Sequence, residues 1–198
     1  MKRNKSLFIA MAILNIAISS VAQTTGTFKD ERDGKIYKTV KIGTQIWMAE
    51  NLAYDANKGC WAYNNDITNV AKYGFLYNWE TALTVAPDGW HLPTDTEWTI
   101  LIKYLGGDSI AGGKLKSTTG WDSPNIGATN ASGFSALPAG YINMLKSGLI
   151  GKYAFFWSAN ESNDKSAWLR YLKTDDCQSN RNYYFSKDYG FSVRCVKN

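Results

Sequence analysis

From Gly34 to Ile42 apolar residues alternate with polar ones, with Ile36, Val40 and Ile42 on the apolar side. That period of two predicts a strand buried on one face. Gly43-Thr44 then turns the chain and Gln45-Ile-Trp-Met-Ala49 returns it, so the pair reads as a hairpin. Tyr54 to Tyr73 is polar and rich in turn residues, a surface excursion. Tyr77 to Leu83 predicts a short helix with Asn78 as N-cap, broken by Ala86-Pro-Asp-Gly89. The next helix carries the strongest local signal. Thr94 and Glu97 have the spacing of a capping box, in which each side chain satisfies an unpaired N–H of the other residue. Trp98, Leu101, Ile102 and Leu105 follow on one face, and Gly106-Gly107 stops the helix. A further helical turn is expected over Ser109 to Lys116.

Beyond Gly133 the pattern turns to β-structure with long connections. Phe134 to Gly140, Phe155 to Ala159, Ala167 to Leu172 and Phe191 to Val196 are the expected strands. No repeat or heptad appears, and no break suggests a second folding unit after the N-terminal leader.

The leader itself is read as a signal peptide. Lys2, Arg3 and Lys5 form a positive flank, Leu7 to Ile18 an apolar core, and Ser20-Val-Ala22 a small-residue cleavage site. The core is shorter than the ~20 residues of a membrane span, so no membrane insertion is expected after its removal. The expected organisation is 1–22 signal peptide, 23–32 linker and 33–198 one domain. The expected location is exported: periplasm, outer surface or extracellular. Export also alters the charge. The 22 basic residues against 17 acidic ones become 19 against 17, a net of +2 instead of +5. No basic stripe remains to suggest nucleic acid.

Catalytic chemistry is sparse. His91, the lone histidine, stands between Trp90 and Leu92, a setting for a structural hydrogen bond and not for a nucleophile's base. Asp164, Glu161 and Asp175-Asp176 cannot be paired from spacing and read as solvated charges. Asn64-Asn65-Asp66 and Asn160-Glu-Ser-Asn-Asp164 cluster oxygen ligands suited to calcium, without the EF-hand spacing; Asn and Asp are equally turn residues. No other cofactor and no metal site is expected. Gly112-Gly113 before Lys114 lacks phosphate-loop spacing. Cys60, Cys177 and Cys195 permit one disulfide and a spare thiol in an oxidising compartment. Cys177–Cys195 is the favoured pair and Cys60–Cys195 stays open.

The most suggestive run is Gln178-Ser-Asn-Arg-Asn-Tyr-Tyr-Phe-Ser-Lys-Asp-Tyr189. Tyr supplies contact area at low entropy cost, and Asn and Ser supply adaptable hydrogen bonds. The plainer alternative is a polar hairpin loop with its Tyr residues packed inward.

Asp33-Gly-Lys-Ile-Tyr-Lys-Thr-Val-Lys-Ile-Gly-Thr-Gln-Ile-Trp-Met-Ala-Glu-Asn-Leu52 resembles the opening block of the Fibrobacter succinogenes major paralogous domain. Tyr73-Gly-Phe-Leu-Tyr-Asn-Trp79, Gly89-Trp-His-Leu-Pro-Thr-Asp-Thr-Glu-Trp98, Gly133-Phe-Ser-Ala-Leu-Pro-Ala-Gly-Tyr141 and Tyr189-Gly-Phe-Ser-Val-Arg-Cys-Val196 match its later blocks in order. The resemblance implies an α+β fold of C-type lectin-like kind, similar to formylglycine-generating enzymes and retroelement variable proteins. Two short helices would lie around small twisted antiparallel sheets with long irregular loops. Family members usually carry cysteines where this chain has Val70 and Ala86, so the resemblance transfers no bridge. The paired active-site cysteines of the formylglycine-generating enzymes have no counterpart here, and Ser123-Pro124-Asn125 lacks the first ligand of the lectin calcium motif.

By resemblance to the variable proteins, the ligand face falls on Asn180, Arg181, Asn182, Tyr183, Tyr184, Ser186, Asp188 and Tyr189. The expectation is therefore an exported module that binds a glycan or a protein. An enzyme of the formylglycine-generating kind or a small hydrolase, with Cys60 or Cys177 as its thiol, and a structural envelope or assembly subunit are the rival expectations.

Overall fold

The computed structural model describes residues 24–198, so the expected signal peptide lies outside the described residues. Those residues form an α+β structure, mostly sheet with a few short helices. The first sheet begins with β1 (Thr25–Lys29), β2 (Ile36–Ile42) and β3 (Gln45–Met48), and the expected hairpin is β2–β3. β1 falls within the stretch read as a linker and pairs antiparallel with β2, Thr25 opposite Val40 and Lys29 opposite Ile36. The side that faces inward differs from the expectation at one end. Ile36 is exposed and Tyr37 is buried, because the Tyr37 hydroxyl accepts the Ala53 N–H at 3.0 Å and so carries no unmet polar group inward.

The excursion from Tyr54 to Tyr73 holds β4 (Cys60–Trp61), two 3-10 turns and the short helix α1 (Val70–Tyr73), with Tyr63 and Tyr73 buried. The rest of it, apart from Ala62, is exposed or partly exposed, so it lies at the surface as expected and is anchored by these two rings. β5 (Leu76–Tyr77) takes Tyr77 out of the expected helix, and α2 (Trp79–Thr84) begins after it. Asn78 caps α2 as expected, its side chain accepting the Thr81 N–H at 3.0 Å. After β6 (Trp90–His91), α3 (Asp95–Tyr104) starts on the complete Thr94–Glu97 capping box. Trp98, Leu101 and Ile102 are its buried face. α4 (Asp108–Leu115) covers the expected helical turn. Its Gly112 is required by close approach: a Cβ there would stand 2.0 Å from the Gln178 carbonyl oxygen.

Phe134 to Gly140 is not a strand. Its only β-bridges are isolated ones, Lys116 to Ala136 and Gly140 to Ala154, and Ser135 takes a positive φ that no regular strand tolerates. A small hairpin follows, β7 (Tyr141–Asn143) and β8 (Lys146–Gly148). β9 (Tyr153–Asn163) and β10 (Ser166–Lys173) form the longest ladder, irregular between Ala167 and Leu169. β11 (Asn180–Asn182) pairs with β10 at the sheet edge. The expected last strand is two: β12 (Phe191–Ser192) lies in the second sheet and β13 (Val196–Lys197) in the first. The sheet orders are β1-β2-β3-β13-β6 and β11-β10-β9-β12-β5-β4. The pairing of β12 with β9 is parallel, so the second sheet is not purely antiparallel.

Indole rings organise the core. Trp47, Trp98 and Trp157 are fully buried, and Trp47 and Trp98 pack with centroids 4.8 Å apart. Each buried N–H finds an acceptor: Trp98 Nε1 donates to the Trp157 carbonyl at 3.3 Å, Trp157 Nε1 to that of Tyr77 at 2.8 Å, and Trp79 Nε1 to that of Ser158 at 2.8 Å. Burying such a ring without that bond would cost part of what its area contributes. Lys116 is also buried, its ammonium donating to the carbonyls of Ile126, Lys173 and Asp176 at 2.9, 2.8 and 2.7 Å.

The expected disulfide does not form. All three cysteines are free. Cys195 is sealed in the core cluster with Tyr37 and Tyr77, Cys177 donates to the Ser109 carbonyl beside α4, and Cys60 sits on β4 near Asp55.

Candidate ligand-binding surface

In β10, Ala167, Leu169, Arg170 and Leu172 are buried, while Trp168 is only partly buried. β11 is the edge of the sheet, and its central residue Arg181 faces solvent beside that ring. The guanidinium carbon stands 3.4 Å from the Trp168 ring centroid. Arg181 Nε and Nη2 donate to the two Asp95 carboxylate oxygens, each at 2.8 Å. Asp95 is the first residue of α3, so this fork joins the sheet edge to the helix start.

The aromatic contact continues outward. Trp168 meets Tyr183 at 4.7 Å between centroids, and Tyr183 meets Tyr184 at 4.0 Å. The two tyrosine hydroxyls are 2.6 Å apart, and that bond holds the Tyr183 phenol above its ordinary pKa. Asn182 Oδ1 accepts the Tyr184 N–H at 2.8 Å, and Ser162 Oγ donates to the Tyr183 carbonyl at 3.1 Å, which fixes the turn. Tyr184 is 72% exposed and Tyr183 38%. Asn180 is partly buried, and its Nδ2 has no hydrogen-bond partner.

The remaining three expected residues turn away from this shelf. Ser186, Asp188 and Tyr189 line a separate cleft of ≈ 590 Å³ with Trp61, Asn143 and Met144. Ser186 Oγ donates to Asp188 Oδ2 at 3.1 Å. Tyr189 is half-buried among Tyr141, Phe185 and Phe191, centroids 5.3–5.6 Å away, so it anchors the loop. The expected set is thus brought together as two neighbouring groups, not one face. Trp168, Trp61 and Met144 were not expected. The stretch around Trp168 does not alternate cleanly, and nothing local marked the others.

The other candidate groups have structural uses. His91 Nδ1 is 2.6 Å from Asn198 Oδ1, and its Nε2 is 2.8 Å from Glu97 Oε1. Burial raises the Glu97 pKa, but the bonds from Thr94 and His91 outweigh it and hold the carboxyl below the usual range. Asp66 Oδ1 accepts from Thr68, Asn160 Oδ1 from the Asp95 N–H, and Asn163 Oδ1 from the N–H groups of Lys165 and Ser166. Among the described residues no three His, Cys, Asp or Glu side chains converge on a metal-sized position. Asn125 Nδ2 donates to the Ser117 carbonyl at 3.1 Å, anchoring its loop. Burial pushes the thiols of Cys60 and Cys195 upward, the latter to about 12.

Mixed α+β architecture, a capped helix against the sheet and an aromatic shelf on an edge hairpin define a small sheet-based domain with its loops outward. Residues 40–197 match the family described as the Fibrobacter succinogenes major domain, and the chain belongs to that family. No curated protein and no solved structure matches the chain.

Proposed function

We propose that this chain is an exported ligand-binding module of a bacterial envelope or surface, built on a C-type lectin-like scaffold. What supports the scaffold is the pair of capped helices α2 and α3 against small sheets with long irregular connections. The ligand is a glycan or a protein, and the glycan fits the chemistry better. One observation carries this: Trp168, Tyr183 and Tyr184 form a continuous, partly exposed aromatic row, rimmed by Asn182 and Ser162. Ring faces accept the C–H face of a sugar, while hydroxyl and amide groups at the rim bond its hydroxyls.

The test is a glycan array probed with the mature domain, with and without calcium, alongside Tyr184→Ala and Trp168→Ala. Retention on a defined glycan set, lost in both variants while melting temperature holds for Tyr184→Ala, is the expected result. Retention unchanged in both would remove the shelf as the binding surface.

A further inference from the structure

We propose a second binding site, for an oxyanion-bearing ligand of sugar size, in the cleft between the β1–β2 edge and α1. The cleft holds ≈ 750 Å³ and shares no residue with the aromatic shelf. Its basic lining is Lys35, Lys38, Lys72 and Arg194, against Glu50 as its acid. None of the three lysines takes part in an ion pair among the described residues. Glu50 Oε2 is itself occupied, accepting the Lys38 backbone N–H at 2.8 Å.

Arg194 makes this more than a patch of surface charge. It is 1% exposed, and it forms part of the cleft wall. Every hydrogen-bond partner is a neutral oxygen: Asn51 Oδ1 at 2.7 Å, the Met48 carbonyl at 3.2 Å, the Ser135 carbonyl at 3.1 Å and the Phe134 carbonyl. A guanidinium has five N–H donors, so these four bonds leave one on Nη2. A buried charge without a counter-ion is costly, and proteins ordinarily pair it. Here no carboxylate bonds to it, and burial pulls its pKa down to about 9. An anion entering the cleft would add to the countercharge that Glu50 gives Arg194 and meet three lysines that have no ion pair among the described residues, two of them lying over tyrosine rings. Val70 and Leu137 add apolar wall for the body of the ligand. Carboxylate, sulfate and phosphate share the needed geometry.

Isothermal titration of the mature domain at low salt with glucuronate, glucose 6-sulfate and inorganic phosphate, with glucose as control, tests this. Saturable binding of at least one anion and none of glucose is expected. Binding of the sugar anions alone points to a saccharide source, and binding of inorganic phosphate as well points to the free oxyanion. Lys38→Gln with Lys72→Gln should weaken the affinity about tenfold, with melting temperature as the check on folding. High salt should weaken it too. Tyr184→Ala should leave it unchanged, which separates this site from the shelf. No saturable heat with any of the three, an affinity unmoved in the lysine double variant, or its loss in Tyr184→Ala would overturn the assignment.

Discussion

Arg181 lies against Trp168 at 3.4 Å from the ring centroid while its fork grips Asp95 at 2.8 Å through both nitrogens. The stack and the fork together set the tilt of the Trp168 indole. Lysine would keep the charge and lose both geometries. Arg181→Lys should therefore cost about 1 kcal/mol in urea denaturation and weaken any retention on the proposed glycan ligand. A double-mutant cycle with Asp95→Asn should give a coupling of about 0.5–1 kcal/mol, modest because the pair is partly solvated. A coupling of zero would show that the fork contributes nothing in solution.

Tyr184 and Tyr189 should separate binding from stability. Tyr184→Ala removes the most exposed ring of the row and should change unfolding free energy by less than about 0.5 kcal/mol. Tyr189→Ala removes a ring packed against three others and should cost about 2 kcal/mol. Equal losses in the two variants would place Tyr184 in the core.

The turn of the β7–β8 hairpin carries Met144 and Leu145 at φ of 45° and 64°. Both are large, both are exposed, and both hold a conformation that Asn and Gly adopt at far lower cost. Replacing Met144-Leu145 with Asn-Gly should raise stability by about 1 kcal/mol, seen as a higher thermal midpoint. A lower midpoint would mean that the two apolar side chains contribute more than the strain they impose.

What was legible in the chain followed from how local each signal was. The Thr94–Glu97 box, the Asn78 cap and the β2–β3 hairpin are written in side chains a few residues apart, and all three formed. Tyr37 displaced Ile36 inward because its hydroxyl meets the Ala53 N–H, a partner no local period reveals. Phe134 to Gly140 has the composition of a strand, yet Arg194 draws on the carbonyls of Phe134 and Ser135, leaving them out of any ladder. The Asn180–Tyr189 run was visible as composition. Its division between a shelf and a cleft depends on Trp168 and Trp61, from other strands, and was not.

Glu97 links helix start to acid sensitivity. Its pKa in the folded chain lies below the ordinary glutamate value, so its contribution is complete above that value. It is lost as pH falls toward the folded value. Glu97→Gln should cost about 1 kcal/mol near neutral pH. The gap from the parent should close on acidification, measured by denaturation across the carboxylate range. A gap independent of pH would assign the loss to packing.

Cys195 should resist thiol reagents until the chain unfolds. It is fully buried, and its thiolate is suppressed by a pKa pushed to about 12. Native protein should label at Cys60 and Cys177, with the third thiol reacting at the unfolding rate. Rapid labelling of all three would contradict the burial of β13's approach.

Residues 191–197 close both sheets: β12 inserts between β9 and β5, and five residues later β13 inserts between β3 and β6. Neither sheet is continuous without this stretch. One short run of chain is thus shared by both layers, and a substitution that displaces it loosens the two together.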